Sequence, residues 1–173
     1  MTLQHDRPEP GRHQTPPEYT PRLRLKPKGQ LSGYVDGAWW PRTDDLVTEL
    51  PDLLAVLSVR LGRIDRVLYR FGEWASAPRK LVTGGRAVRL DGYKRQPRNT
   101  IEVLGVNRDK IVLLIVAAHT KPDQAHDSMM AAAGPGNDDS VDDLLMVSAG
   151  EQHARARAAA AEGHWAAGVS TPR

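Results

Sequence analysis

Short stretches of this chain alternate apolar and polar residues with a period of two, and one longer stretch follows a helical period. Arg22-Leu-Arg-Leu-Lys26 alternates as a half-buried strand does, and Leu31 to Val35 offers a hairpin partner across Lys28-Gly29-Gln30. Leu46, Leu50, Leu53, Leu54, Leu57 and Leu61 then recur at helical spacing and form one apolar stripe. Thr43 stands where a helix cap belongs, Asp44 and Asp45 lie where the helix dipole favours negative charge, and Gly62 ends the pattern. Pro51 interrupts it. Either the helix kinks there, or a short first turn gives way to a second helix that begins at Pro51.

From Ile64 the period returns to two. Val67, Tyr69 and Phe71 alternate with Arg66, Leu68 and Arg70 as a strand running towards Trp74. Lys80 to Thr83, Gly84-Gly85 and Arg86 to Leu90 read as a tight hairpin, because paired glycines adopt the positive φ of a two-residue turn. Ile101 to Val106 and Lys110 to Ala117 form a second hairpin across Asn107-Arg108-Asp109. Its continuously apolar Ile111 to Val116 predicts a central strand covered on both faces.

Pro122 opens a helix through about Ala133, Gly134 to Asn137 is a linker, and Ser140 to Ala161 is helix-prone. The pattern predicts an α+β domain over residues 22–146. It holds an antiparallel sheet of about five to six strands, an early Leu-rich helix and C-terminal helices. Residues 1–21, with prolines at 8, 10, 16, 17 and 21 and few apolar residues, read as a disordered tail. Residues 147–173 read as an Ala- and Arg-rich helical extension ending in a disordered tail.

Composition narrows the chemistry. The 173 residues suit one domain, and the absence of cysteine excludes disulfides, thiol nucleophiles and thiolate metal sites. The longest apolar run, Ile111 to Ala118, falls far short of the ~20 residues that a membrane helix needs, and no apolar signal segment follows the first basic residues. A cytoplasmic location without membrane contact is the expectation.

The net charge of +3 hides a segregated distribution. Residues 60–110 hold thirteen Lys and Arg against five acids, whereas 36–52 hold one against five and 121–151 one against seven. That sorting predicts either an internal match of basic and acidic blocks or an exposed basic face.

Tyr34-Val-Asp-Gly-Ala-Trp-Trp-Pro-Arg42 places a turn-like Asp-Gly pair beside two adjacent tryptophans and a cation. On an extended segment neighbouring side chains point oppositely, so one ring packs inward. The other, with Arg42, forms an aromatic–cation platform. Together with Asp45-Leu, Glu49 to Leu54, Trp74, Arg79, Gly84-Gly85, Asp91-Gly92-Tyr93 and Leu113 to Thr120, this segment resembles an actinobacterial family of small proteins of unknown function. The resemblance spans residues 22–146 and departs at Ala117-Ala118, where prolines are expected. It implies a cytoplasmic protein and no particular activity, cofactor or catalytic residue.

The leading reading is a non-catalytic binding or regulatory module for an anionic partner, nucleic acid or an acidic protein surface. Its contact surface comprises Trp39 or Trp40, Arg42, Trp74, Arg79, Lys80, Arg86, Arg89, Tyr93, Lys94, Arg95 and Arg98. Arg86 and Arg89 fall on opposite faces of their strand, so these cations do not all converge. No cofactor is expected. A second reading is a small metal-assisted enzyme using His119, Asp123, His126 and Asp127, which lack the spacing of zinc-binding helices. A third is an assembly subunit docking through Trp39 and Trp40. Oligomeric state is left open.

Overall fold

The computed structural model describes residues 17–29 and 33–146, together with positions 157, 160 and 161. The elements run β1 (Leu23–Leu25), β2 (Gly37–Trp39), α1 (Leu46–Leu61), β3 (Ile64–Arg70), β4 (Lys80–Thr83), β5 (Arg86–Tyr93), β6 (Thr100–Gly105), β7 (Lys110–Ile115) and α2 (Pro122–Ala132). Residues 141–146 add a third helical stretch. The described strands form one sheet of seven in the order β1-β2-β7-β6-β3-β5-β4.

The α+β class holds, but the antiparallel sheet of five to six strands needs correction. The described residues form seven strands, and β2–β7 and β3–β5 pair in parallel. Tight turns encode only pairings between neighbours in sequence. The β3–β5 pair arises because the chain leaves β3, builds β4 at the sheet edge and returns as β5 between the two.

A second correction concerns β1. Its partner is Gly37–Trp39, with Leu23 opposite Trp39 and Leu25 opposite Gly37; of the expected partner Leu31 to Val35, positions 31 and 32 lie outside the described residues, and Gly33 to Val35 form no strand. The Trp segment is therefore a strand, wedged between β1 and β7, and not a connection. Asp36 fixes its position. The Asp36 N–H donates to the Val112 carbonyl at 2.7 Å, its Oδ2 accepts the Val112 N–H at 2.8 Å, and its carbonyl accepts the Lys26 N–H at 2.8 Å.

The apolar stripe of α1 lies on one face of the sheet. All six of its leucines are buried, against Trp39, Val67, Tyr69, Ile101, Val103 and Leu113 among others. The cap is Asp45, not Thr43: its carboxylate accepts the Val47 N–H at 3.1 Å and the Thr48 hydroxyl at 2.8 Å. Thr43 turns to Glu49 instead, donating both its N–H and its hydroxyl to Oε1 at 2.9 Å. Pro51 sits within a continuous helix, so no second helix starts there.

On the other face, α2 and Leu144 cover Val35, Ala38, Leu114 and Val116, over the half of the sheet around β1, β2 and β7. Strand β7 thus buries alternate residues in two cores, as its unbroken apolar run requires. The Gly84-Gly85 turn has φ of 57° and 73°, the conformation that a two-residue hairpin needs. Among the described residues no helix is long and apolar enough to cross a membrane.

Candidate binding surface at the strand ends

Strands β2, β7, β3 and β5 run in one direction, and β1, β6 and β4 in the other. The C-terminal ends of four strands therefore meet at one sheet edge. That edge gathers Trp39 and Trp40 at the end of β2, Trp74 after β3, Tyr93 to Arg98 at the end of β5, and His119 after β7.

The two tryptophans do face opposite sides. Trp39 is 1% exposed in the α1 core and stacks on half-buried Trp74, with ring centroids 5.5 Å apart and planes at 21°. Trp40 packs against the α2 core and is also only half-buried, not open. The cation on it is Arg22, not Arg42. The Arg22 guanidinium lies 3.6 Å from the Trp40 ring centroid, and donates to the Trp40 carbonyl at 2.9 Å and the Pro41 carbonyl at 2.7 Å.

Burial lowers the pKa of Arg22, Arg42 lowers it further, and Glu49 opposes both. Arg42 itself reaches the Thr20 carbonyl at 3.3 Å. The segment preceding β1 is held to α1 as well, since the Glu18 and Tyr19 N–H groups donate to the Asp52 carboxylate at 2.7 and 3.2 Å. Beside Trp40 runs an open groove of about 390 Å³ lined by Pro21, Arg22, Leu23, Arg24, Trp40, His126 and Met129.

The basic residues separate into two groups. Lys94, Arg95 and Arg98 are exposed at the strand-end edge, Arg79 and Lys80 are exposed beside the middle of β5, and none of the five makes an ion pair among the described residues. Register sets them at two levels: the Leu90 N–H donates to the Arg79 carbonyl at 2.8 Å and Lys80 lies opposite Arg89, so β4 starts beside the middle of β5, short of its Tyr93 end. Arg86 lies at the opposite end of β5, next to the hairpin turn. Arg89 is engaged with Asp65 at 2.8 Å, and that hydrogen bond raises its pKa, with the Asp65 charge adding to it. Arg66 likewise meets Asp91 at 3.0 Å.

The loop carrying Lys94 to Arg98 is tied down from below. Arg70 donates to the Gln96 carbonyl at 2.6 Å, and the Asn99 N–H donates to both oxygens of Glu73 at 3.0 and 3.1 Å. Asn99 adopts a φ of 54°, which an Asn tolerates better than most residues.

Sequence reasoning did not nominate Phe71. The single phenylalanine of the chain is 62% exposed at the end of β3, and stacks on Tyr69 with centroids 6.4 Å apart and planes at 17°. Its N–H donates to the Tyr93 carbonyl at 3.1 Å. Gly92 makes room for the ring: a Cβ there would come within 2.5 Å of it. A lone Phe placed just before a glycine at a strand end was the available signal.

His119, Asp123 and His126 are exposed and Asp127 is half-buried. Among the described residues no three His, Asp or Glu side chains come together as a metal-binding group. Of these four, only His126 lines the groove.

No curated protein matches the chain, and no solved structure does. Residues 22–132, from the start of the sheet to the last residue of α2, match a family of unknown function (DUF5994), and the chain belongs to that family.

Proposed function

We propose that the protein is a cytoplasmic, non-catalytic binding module that holds nucleic acid along its strand-end edge. The observation that supports this most is the set of five exposed cations, Arg79, Lys80, Lys94, Arg95 and Arg98, without an ion pair among the described residues. A phosphate backbone offers a row of charges at fixed spacing and releases condensed counterions when Lys and Arg neutralise it. Two further features favour a polymer over a small anion. The loop bearing three of the cations is braced by Arg70 and Glu73, and exposed Tyr93 stands beside it. Arg86, Arg89, Trp39, Trp40, Arg42 and Trp74 fall outside this contact surface, because each is distant along the strand, paired or packed.

Electrophoretic retardation at low salt, with mixed RNA and DNA, tests the proposal. Binding is expected, with an affinity that falls steeply as salt rises, by roughly 0.7–0.9 in log–log slope for each phosphate neutralised. Exchanging Lys94, Arg95 and Arg98 together for Gln lowers that slope by about 2. Absence of binding at low salt, or capture of an acidic protein that competes with no nucleic acid, overturns the reading.

A further inference from the structure

We infer that Phe71 is a base-stacking platform, and that the nucleic acid taken at the strand-end edge is single-stranded. This inference rests on the nucleic-acid reading above and narrows it. The ring of Phe71 is 62% exposed, an unusual state for the only phenylalanine in the chain. It is also held. Tyr69 stacks on one side, Gly92 leaves the space in which the ring lies, and the Phe71 N–H is bonded to the Tyr93 carbonyl. An apolar ring fixed in this way loses little conformational freedom when a flat partner settles on it, so more of the contact energy survives as affinity.

Placement says which flat partner fits. Gly92 and Tyr93 are successive residues of β5 and point to opposite faces of the sheet. The Phe71 ring lies on the Gly92 side, so Phe71 and 47%-exposed Tyr93 stand on either side of the same edge. Lys94, Arg95 and Arg98 follow Tyr93 in sequence, while Arg79 and Lys80 enter β4 opposite Leu90 and Arg89, further back along β5. Aromatic faces next to a row of cations match the alternation of bases and phosphates along a nucleic-acid strand. Paired bases in a duplex already stack on one another and offer no face, so only unpaired bases use Phe71.

The test compares three fluorescently labelled probes by anisotropy: an oligothymidylate of about 20 nucleotides, a duplex of the same length, and an abasic strand with the same phosphates. The full-length protein is expected to favour the oligothymidylate over both others. Phe71→Leu is expected to weaken oligothymidylate binding about 5- to 150-fold, the range that one lost stacking contact spans, with the salt slope unchanged. Gly92→Ala, which displaces the ring without deleting it, weakens binding in the same direction, and thermal melting of both variants confirms folding. Equal affinity for oligothymidylate and abasic strand, or a Phe71→Leu protein that binds as the native one does, overturns the inference and leaves nucleic-acid binding standing. Failure of all three probes to bind at low salt overturns both.

Discussion

Replacing Gly37 by alanine tests why the Trp segment begins with glycine. A Cβ at this position would fall on the Arg24 carbonyl oxygen, and would stand 2.9 Å from the Leu25 Cα and 3.1 Å from the Arg24 carbonyl carbon. These are main-chain atoms of the paired strand, so no side chain can rotate away and β1 must move. Overpacking of a rigid site costs about 1–3 kcal/mol. If β1 detaches, Leu23 and Leu25, which pack partly buried against the α1 core, add roughly 1 kcal/mol each, about half the value of full burial.

The expected loss for Gly37→Ala is therefore about 3–5 kcal/mol. At about 2–4 °C per kcal/mol for a chain of this size, melting should fall by roughly 6–20 °C. Equilibrium urea unfolding followed by tryptophan emission measures it. Gly84→Ala is the control: its φ of 57° strains an alanine but nothing lies within 4 Å of the added carbon, so the cost stays near 1–2 kcal/mol. A Gly37→Ala protein that loses less than the Gly84→Ala control refutes the steric argument.

Asp45 gives a pH-dependent prediction. The Thr48 hydroxyl first, against a smaller desolvation effect, and then the Thr48 and Val47 amides hold its pKa below the ordinary carboxylate value. A depressed folded pKa contributes stability that is fully present above the unfolded value and is lost as pH falls through the folded one, so the effect lies below about pH 4. Asp45→Asn should flatten that acidic limb of a urea-midpoint profile, and an unchanged limb contradicts the cap assignment. Arg22→Lys removes the planar fork that holds two carbonyls and the stack on Trp40, and should cost about 1 kcal/mol with a red shift in tryptophan emission. Identical emission and melting would show that the stack contributes nothing.

Local chemistry was legible in the chain. The leucine stripe predicts α1 and its buried face, the paired glycines fix the β4–β5 turn, and the unbroken apolar run marks β7 as central. Strand β2 was not legible. Three residues, Gly-Ala-Trp, are too few for a period, and their partners lie at 23–25 and 113–115, so no turn residue announces either pairing. The two parallel pairings share this origin. Once they were missed, the convergence of four strand ends on one edge could not be foreseen. The ion pairs were hidden for a related reason: a bulge between Ile64 and Arg66 breaks the simple alternation of faces there, and Asp65 pairs with Arg89 across to β5.

The unusual Trp-Trp-Pro-Arg string therefore marks a folding constraint more than a contact surface. Trp39 is closed between the α1 leucines and Trp74, and Trp40 carries Arg22 on its ring, so the chain itself already uses both aromatic groups. A ring employed in this way has little area left for a ligand. The aromatic area still open at the strand ends belongs to Phe71 and Tyr93. Rarity in sequence reports where the backbone demands a particular side chain, as at Gly37, where only a missing Cβ lets β1 and β2 approach. Exposure of a held side chain reports where binding energy remains unspent, and here that points to the β3–β5 end of the sheet.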